Sequence, residues 1–218
     1  IASFEINHIP LIEKVAKTKK PIIISTGISS LREIDLAYDT ALKNGSKEIT
    51  LLYCVSNYPS KFEDFNFKNI EIMKKRYGCT VGFSDHSNDN RVAFSAVLLG
   101  ADLVEKHIAL ADDKKSHDSK FSIKGNEIKK LRDEIDLAWN LRGKNIYHRK
   151  KSEMENIIYR RSIYASKIIK SGQKFNIENI KVVRPGFGVH PKYYKKLLNK
   201  RSKTNYTIGS KIKIEETQ

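Results

Sequence analysis

Two histidines each close an apolar, β-prone run, Val81-Gly-Phe-Ser-Asp-His86 and Asp102-Leu-Val-Glu-Lys-His107. Between them Ala93–Gly100 reads as a helix ended by glycine, so the two residues lie about one strand–helix–strand step apart. Successive strands of a parallel sheet point the same way, which brings both imidazoles to one carboxyl-end rim. Two imidazoles there are a possible ligand pair for a divalent cation, with coordination positions left open for substrate. The plainer alternative is that each is an ordinary structural or surface histidine, and the pair by itself does not decide between them.

A second pattern stands beside the first. Four successive apolar runs finish in a serine at the same relative place, at Ser3, Ser25, Ser56 and Ser84. The carboxyl ends of parallel strands are where ligands bind, and a ring of small hydroxyls there can donate to a phosphate or a carboxylate. Serine also suits turns, so one such residue would mean little, but four in succession beside two histidines mean more. Glu5, Asp85 and Glu105 are carboxylates near this ring. They suit proton transfer or orientation of an imidazole, with a salt bridge in the mouth of the sheet an equal alternative for Asp85 and Glu105. His8, His117 and His148 fall in polar stretches and read as surface residues.

The elements that must position these groups alternate. Ile1–Phe4 reads as the tail of a strand, Pro10–Lys19 as a helix, and Pro21–Ser25 as a β-branched strand buried on both faces. Ser30 with Glu33 forms a capping box for a helix that ends at Asn44-Gly45. Glu48–Cys54 is the next strand, and Asn66–Tyr77 a helix stopped by Gly78. Asn126–Leu141 is an amphipathic helix ending at Gly143. This is a βα repeat with a parallel sheet, either half of an eight-stranded barrel or most of an open sheet. Lys144–Glu155 has the character of a linker, and the short strand-like segments and turns beyond it suggest a small β-rich domain.

Composition sets the bounds. The 218 residues fit one large domain with a small appendage, and no run approaches the ~20 apolar residues of a membrane helix. Cys54 and Cys79 form neither a disulfide framework nor a C-x-x-C motif, which points to a reducing, cytoplasmic compartment. The formal charge of +16 invites a nucleic-acid reading. The cations run through every segment, however, with no nucleic-acid-binding motif or aromatic platform, so attraction of small anions is favoured over nucleic acid. The opening I-A-S-F-E-I-N is neither a signal peptide nor a methionine start, and reads as the interior of a longer chain.

The stretches G-F-S-D-H-S, V-E-K-H-I, H-D-S-K-F-S and, far downstream, V-R-P-G-F-G resemble the sialic acid synthase family, in the family's order and over nearly the whole length. C-V-S-N-Y-P-S-K and R-P-G-F-G-V-H-P-K-Y-Y look most like its pseudaminic acid synthase branch. The resemblance implies the C-terminal half of a (β/α)8 TIM barrel over residues 1–143, a linker over 144–157 and an antifreeze-like (SAF) domain over 158–218. It implies condensation of phosphoenolpyruvate with an open-chain acetamido sugar to a nine-carbon 2-keto sugar acid, with release of phosphate. N-acetylneuraminate or legionaminate synthesis is the alternative product, and a non-catalytic carbohydrate- or partner-binding protein the alternative class.

By the same resemblance His86 and His107 match ligands of a divalent metal (manganese, magnesium or cobalt), and Ser3, Ser25, Ser56 and Ser84 surround phosphoenolpyruvate. Tyr58 and Asp118 match sugar-contacting positions. Arg184 matches an arginine that reaches the active site of the other subunit of a domain-swapped homodimer. Family members carry a further stretch before the equivalent of Ile1, with the first strands of the barrel and more cationic contacts. These 218 residues alone are therefore expected to be poorly stable or inactive.

Overall fold

The computed structural model describes residues 1–110 and 116–217. It divides into two compact units, Ile1–Lys144 and Asn145–Gln218. In the first, α1 (Ile9–Ala16) leads to β1 (Ile22–Ser25), α2 (Leu31–Lys43) to β2 (Ile49–Cys54), α3 (Lys68–Tyr77) to β3 (Thr80–Asp85), and α4 (Asn90–Leu98) to β4 (Val104–Lys106). The strands lie side by side in chain order, all parallel. That order never reverses, which is the winding of a barrel rather than of a doubly wound open sheet. The described part of the unit is thus half of a (β/α)8 barrel, with a short parallel pair, β5 (Ile108–Ala109) and β6 (Ile123–Lys124), and α5 (Ile128–Arg142) completing it. No described helix is long and apolar enough to cross a membrane.

Local signals account for several of these elements. The Ser30 hydroxyl accepts from the Glu33 amide while the Glu33 carboxylate accepts from the Ser30 amide at 2.8 Å, a reciprocal cap at the start of α2. Gly78 ends α3 in the left-handed region at φ 60°, where a Cβ is costly. The helix starts at Lys68 rather than Asn66, whose backbone amide donates instead to the Tyr53 hydroxyl at 2.8 Å.

The start of the chain departs from expectation. Ile1 does lie alongside β1, donating to the Ile23 carbonyl and accepting from the Ser25 amide. The strand stops there, and Ser3–Glu5 is a 3-10 turn.

Side chains alternate across a strand, and here the two faces differ in kind. Ile22, Ile24, Leu51, Tyr53, Val81 and Phe83 face outward and form one core with Ile12, Ala37, Ala41, Ile70 and Met73 of the helices. The intervening residues face inward. Cross-strand register puts Leu52 beside Gly82, then Cys54 beside Ser84 and Ser84 beside Glu105.

The second unit is antiparallel. Ser162–Ala165 (β7) pairs with Ile180–Val183 (β8), and single bridges tie Ile163 to Val189, Tyr164 to Lys211 and Ile169 to Tyr206. Ile163, Ile169, Phe175, Ile180, Leu197 and Ile212 form its core. Gly188 is required for close approach, since a Cβ there would stand 2.5 Å from the Ile163 carbonyl oxygen. Cations run through both units, as expected, but acids are scarce in this one. Between Asn156 and Ile214 fifteen Lys and Arg stand against one acid, Glu178.

Candidate active site

The inward face of β2, β3 and β4 carries two rows of polar groups. In the lower row Cys54, Ser84 and Glu105 are cross-strand neighbours. Two residues further along each chain stand Ser56, His86 and His107, and a period of two returns each to the same face. Contacts bear this out: His86 and His107 rings lie 5.2 Å apart, and His86 Nδ1 is 3.6 Å from Cys54 Sγ.

Hydroxyls converge around the lower row. Ser84 donates to Glu105 Oε1 at 2.8 Å, and Ser56 donates to Ser3 Oγ at 3.1 Å. Ser25 is buried with no hydrogen-bond partner for its hydroxyl among the described residues. Such an orphan is costly unless something fills it. Burial pushes the Cys54 thiol up from its ordinary value, partly offset by the hydroxyls of Ser25, Ser56, Ser84 and Ser3. The backbone closes in at Gly27, where a Cβ would stand 2.1 Å from Ser56 Oγ and 2.9 Å from Cys54 Sγ. The result is a close cluster of hydroxyls around a buried thiol, with the Glu105 carboxylate at its edge.

The upper row is an aromatic box. The Tyr58 ring lies 4.2 Å from that of His86 and 5.1 Å from Phe121, and Phe121 is 5.1 Å from His107. Burial raises the Tyr58 phenol above its ordinary value, so its hydroxyl is a neutral donor near neutral pH. The His86 Nδ1 lies 3.0 Å from the Val55 carbonyl, which can only accept. His86 therefore carries its proton on Nδ1 and leaves the Nε2 lone pair free. His107 Nδ1 lies 3.3 Å from Asp118 Oδ2, an equivalent arrangement.

Two imidazoles oriented in this way fit a divalent ion. Among the described residues no group of three or more His, Cys, Asp or Glu forms a metal-holding cluster. A cation on His86 and His107 would take two of its ligands from this pair.

Ser3, Ser25, Ser56, Ser84, Glu105, Tyr58, His86, His107 and Asp118 are thus gathered at one end of the half-barrel. Three other expectations fare differently. Asp85 belongs to the opposite face, where its carboxylate accepts from Lys106 Nζ at 2.7 Å and from the Ser87 amide. Glu5 is exposed on the Ser3–Glu5 turn. Arg184 is exposed just after β8, in the other compact unit.

Alignment of strand endings also misplaced the serines. It set Ser56 level with Ser84, whereas the register sets Cys54 there. Cys54 and Phe121 are the members that sequence reasoning missed. The period of two from Ser56 back to Cys54 was the available signal for the first.

Residues 1–147 match the NeuB family and residues 160–213 the SAF domain. The chain is 38% identical, over all of its length and 64% of the relative's, to a pseudaminic acid synthase of Campylobacter jejuni. It is also 38% identical to an N,N'-diacetyllegionaminic acid synthase of the same species, over 94% of this chain and 63% of that one. Among solved structures, an N-acetylneuraminic acid synthetase of Leptospira borgpetersenii in complex with citrate superimposes with a TM-score of 0.68 at 33% identity. That match covers 73% of this chain and 55% of the other. The chain therefore spans somewhat less than two thirds of the length of these relatives.

Proposed function

Because this chain belongs to the NeuB family, we propose that it carries the phosphate- and metal-binding part of a nonulosonic acid synthase. The reaction joins C3 of phosphoenolpyruvate to the aldehyde carbon of an open-chain acetamido sugar. Water adds to C2, and phosphate leaves as the 2-keto acid forms. The two Campylobacter relatives are equally identical to this chain, so identity does not choose between their products. C-V-S-N-Y-P-S-K and R-P-G-F-G-V-H-P favour pseudaminic acid, with N-acetylneuraminate or legionaminate as the alternatives.

The observation that carries this reading is the stacking of two rows on one face, Ser56–His86–His107 above Cys54–Ser84–Glu105. The hydroxyl cup would receive the phosphate of phosphoenolpyruvate, with Ser25 supplying a donor that no other described residue takes in hydrogen-bond geometry. His86 and His107 would hold a manganese, magnesium or cobalt ion. Such an ion, when bound, acts as a Lewis acid toward the aldehyde oxygen.

Asp118 would keep the His107 proton on Nδ1. Tyr58, 39% exposed above His86, offers an aromatic face and a phenol to the sugar. Glu105, which accepts from Ser84 on the inward face, would take a proton from the water that adds to C2. Arg184 would serve the site of a second copy in a domain-swapped homodimer. Such a dimer also supplies the anionic substrate with a strongly basic neighbour.

The test is phosphate release from phosphoenolpyruvate in the presence of acetamido sugars and a divalent ion. It is run on the chain alone and on the chain joined to the N-terminal segment of a Campylobacter relative. Metal-dependent release by the joined protein, lost in His86→Ala, supports the proposal. No release with any acetamido sugar, from a folded protein that binds metal, favours a non-catalytic binding protein instead.

A further inference from the structure

The hydroxyl cup is built around a sulfur atom. Cys54 Sγ stands 3.9 Å from Ser56 Oγ and 3.6 Å from His86 Nδ1, and its side chain lies among the hydroxyls of Ser25, Ser56, Ser84 and Ser3. These are sulfur distances, longer than any oxygen–oxygen hydrogen bond. A thiol is a weak donor and a weak acceptor, whereas a hydroxyl in the same place is strong in both senses.

The consequence is visible in Ser25. Its residue is 4% exposed, and its hydroxyl meets no group in hydrogen-bond geometry among the described residues, the neighbouring Cys54 thiol being at most a weak partner. An oxygen at position 54 would satisfy that hydroxyl internally and would compete with Ser3 for Ser56. The cup would then close on itself, and an incoming anion would have to break bonds already made.

We propose that Cys54 is a positioning residue whose weakly bonding thiol keeps the hydroxyls of Ser25 and Ser56 available to a phosphate group. This rests on the synthase reading given above, but concerns a residue that touches the hydroxyls rather than the reacting atoms. Sulfur fills the volume between β2 and β3 and supports the His86 ring without taking the donors that the ligand needs. Gly27, whose missing Cβ leaves Ser56 and Cys54 their room, contributes to the same openness.

The experiment compares Cys54→Ser and Cys54→Ala with unaltered Cys54, each in the chain joined to the N-terminal segment of a Campylobacter relative. Binding of phosphoenolpyruvate and of inorganic phosphate is measured by calorimetry, with thermal melting of each protein in parallel. Removing a donor from a ligand in this way is worth about one net hydrogen bond, so Cys54→Ser is expected to weaken binding about fivefold to tenfold. Cys54→Ala, smaller but unable to bond, is expected to bind within about threefold of the unaltered joined protein despite a lower melting temperature. A merely structural role predicts the reverse order, with the cavity-forming alanine variant the worse binder. Equal affinity in all three proteins, or alanine weaker than serine, overturns the inference. If the joined protein binds neither anion, the synthase reading falls and this inference with it.

Discussion

Lys106 and Asp85 form an ion pair of 2.7 Å with side chains 5% and 0% exposed, on the face of the sheet opposite the histidines. Lys106 Nζ also donates to the Ser87 carbonyl at 2.6 Å, and Asp85 accepts from the Ser87 amide at 2.8 Å. The loop leading from His86 into α4 is thereby fixed from behind. Removing one partner strands a buried charge, so Lys106→Met is expected to destabilise the unit by about 3–5 kcal/mol. The double variant Asp85→Leu with Lys106→Met is expected to recover part of that loss. Urea unfolding of the three proteins checks this, and equal stability of the single and double variants would contradict it.

Gly27→Ala places a methyl group 2.1 Å from Ser56 Oγ, a separation at which something must shift. Ser56 can rotate only by leaving Ser3 Oγ. The expected outcome is at least tenfold weaker binding of phosphoenolpyruvate with a modest change in melting temperature. Unchanged affinity would mean that Ser56 takes no part in the anion cup.

Ile28 follows at once, with φ 61° and a side chain 80% exposed. A β-branched residue in the left-handed region carries strain of about 1–3 kcal/mol. Glycine there relieves the strain and gives back less than about 1 kcal/mol through the unfolded chain. Ile28→Gly is thus expected to raise the melting temperature by a few degrees, measured calorimetrically. A fall would show that the isoleucine makes packing contacts worth more than its strain.

Asp35 on α2 accepts from Arg76 and from the Tyr77 hydroxyl on α3, and these bonds lower its carboxyl to about 2 from 3.8. A lowered folded-state value means that the unfolded chain binds protons first. The stabilisation is therefore present above about pH 4 and is lost as pH falls toward 2. Asp35→Asn should flatten the fall in melting temperature over that interval, and an unchanged acid profile would count against this coupling of the two helices.

Removal of either imidazole should abolish tight binding of manganese, measured by calorimetry, because one histidine is left without a second protein ligand of its kind. Asp118→Asn removes only the carboxylate beside His107 Nδ1, so a loss of about 10–100-fold in metal affinity is expected, not complete loss. Equal binding by His86→Ala and the unaltered chain would exclude the proposed pair.

Features set by short-range chemistry could be read directly from the sequence. The Ser30–Glu33 cap, the glycine stop at Gly78 and the βα alternation all depend on residues a few positions apart. The two histidines were also legible, because both follow apolar runs at matching positions. What escaped depends on register between strands. Serine endings suggested that Ser56 and Ser84 are level, but hydrogen bonding between β2 and β3 pairs Ser84 with Cys54. A one-residue change of face likewise separates Asp85, which looked inward by proximity, from its neighbours Ser84 and His86. Ser3 reaches the cluster through a turn rather than a strand, which no periodicity announces. The scarcity of acids in the second unit became plain only once the unit boundary was drawn.

The two-residue pleat that lifts Ser56, His86 and His107 above Cys54, Ser84 and Glu105 also limits how this site can diverge. Exchanging side chains leaves the geometry standing, so new ligand preferences can arise by substitution. Gaining or losing a single position inside β2 or β3 turns every downstream group through half a revolution, trading reactive atoms for core. Natural variation among descendants should therefore accumulate as replacements within these strands, with length changes confined to the segments between them.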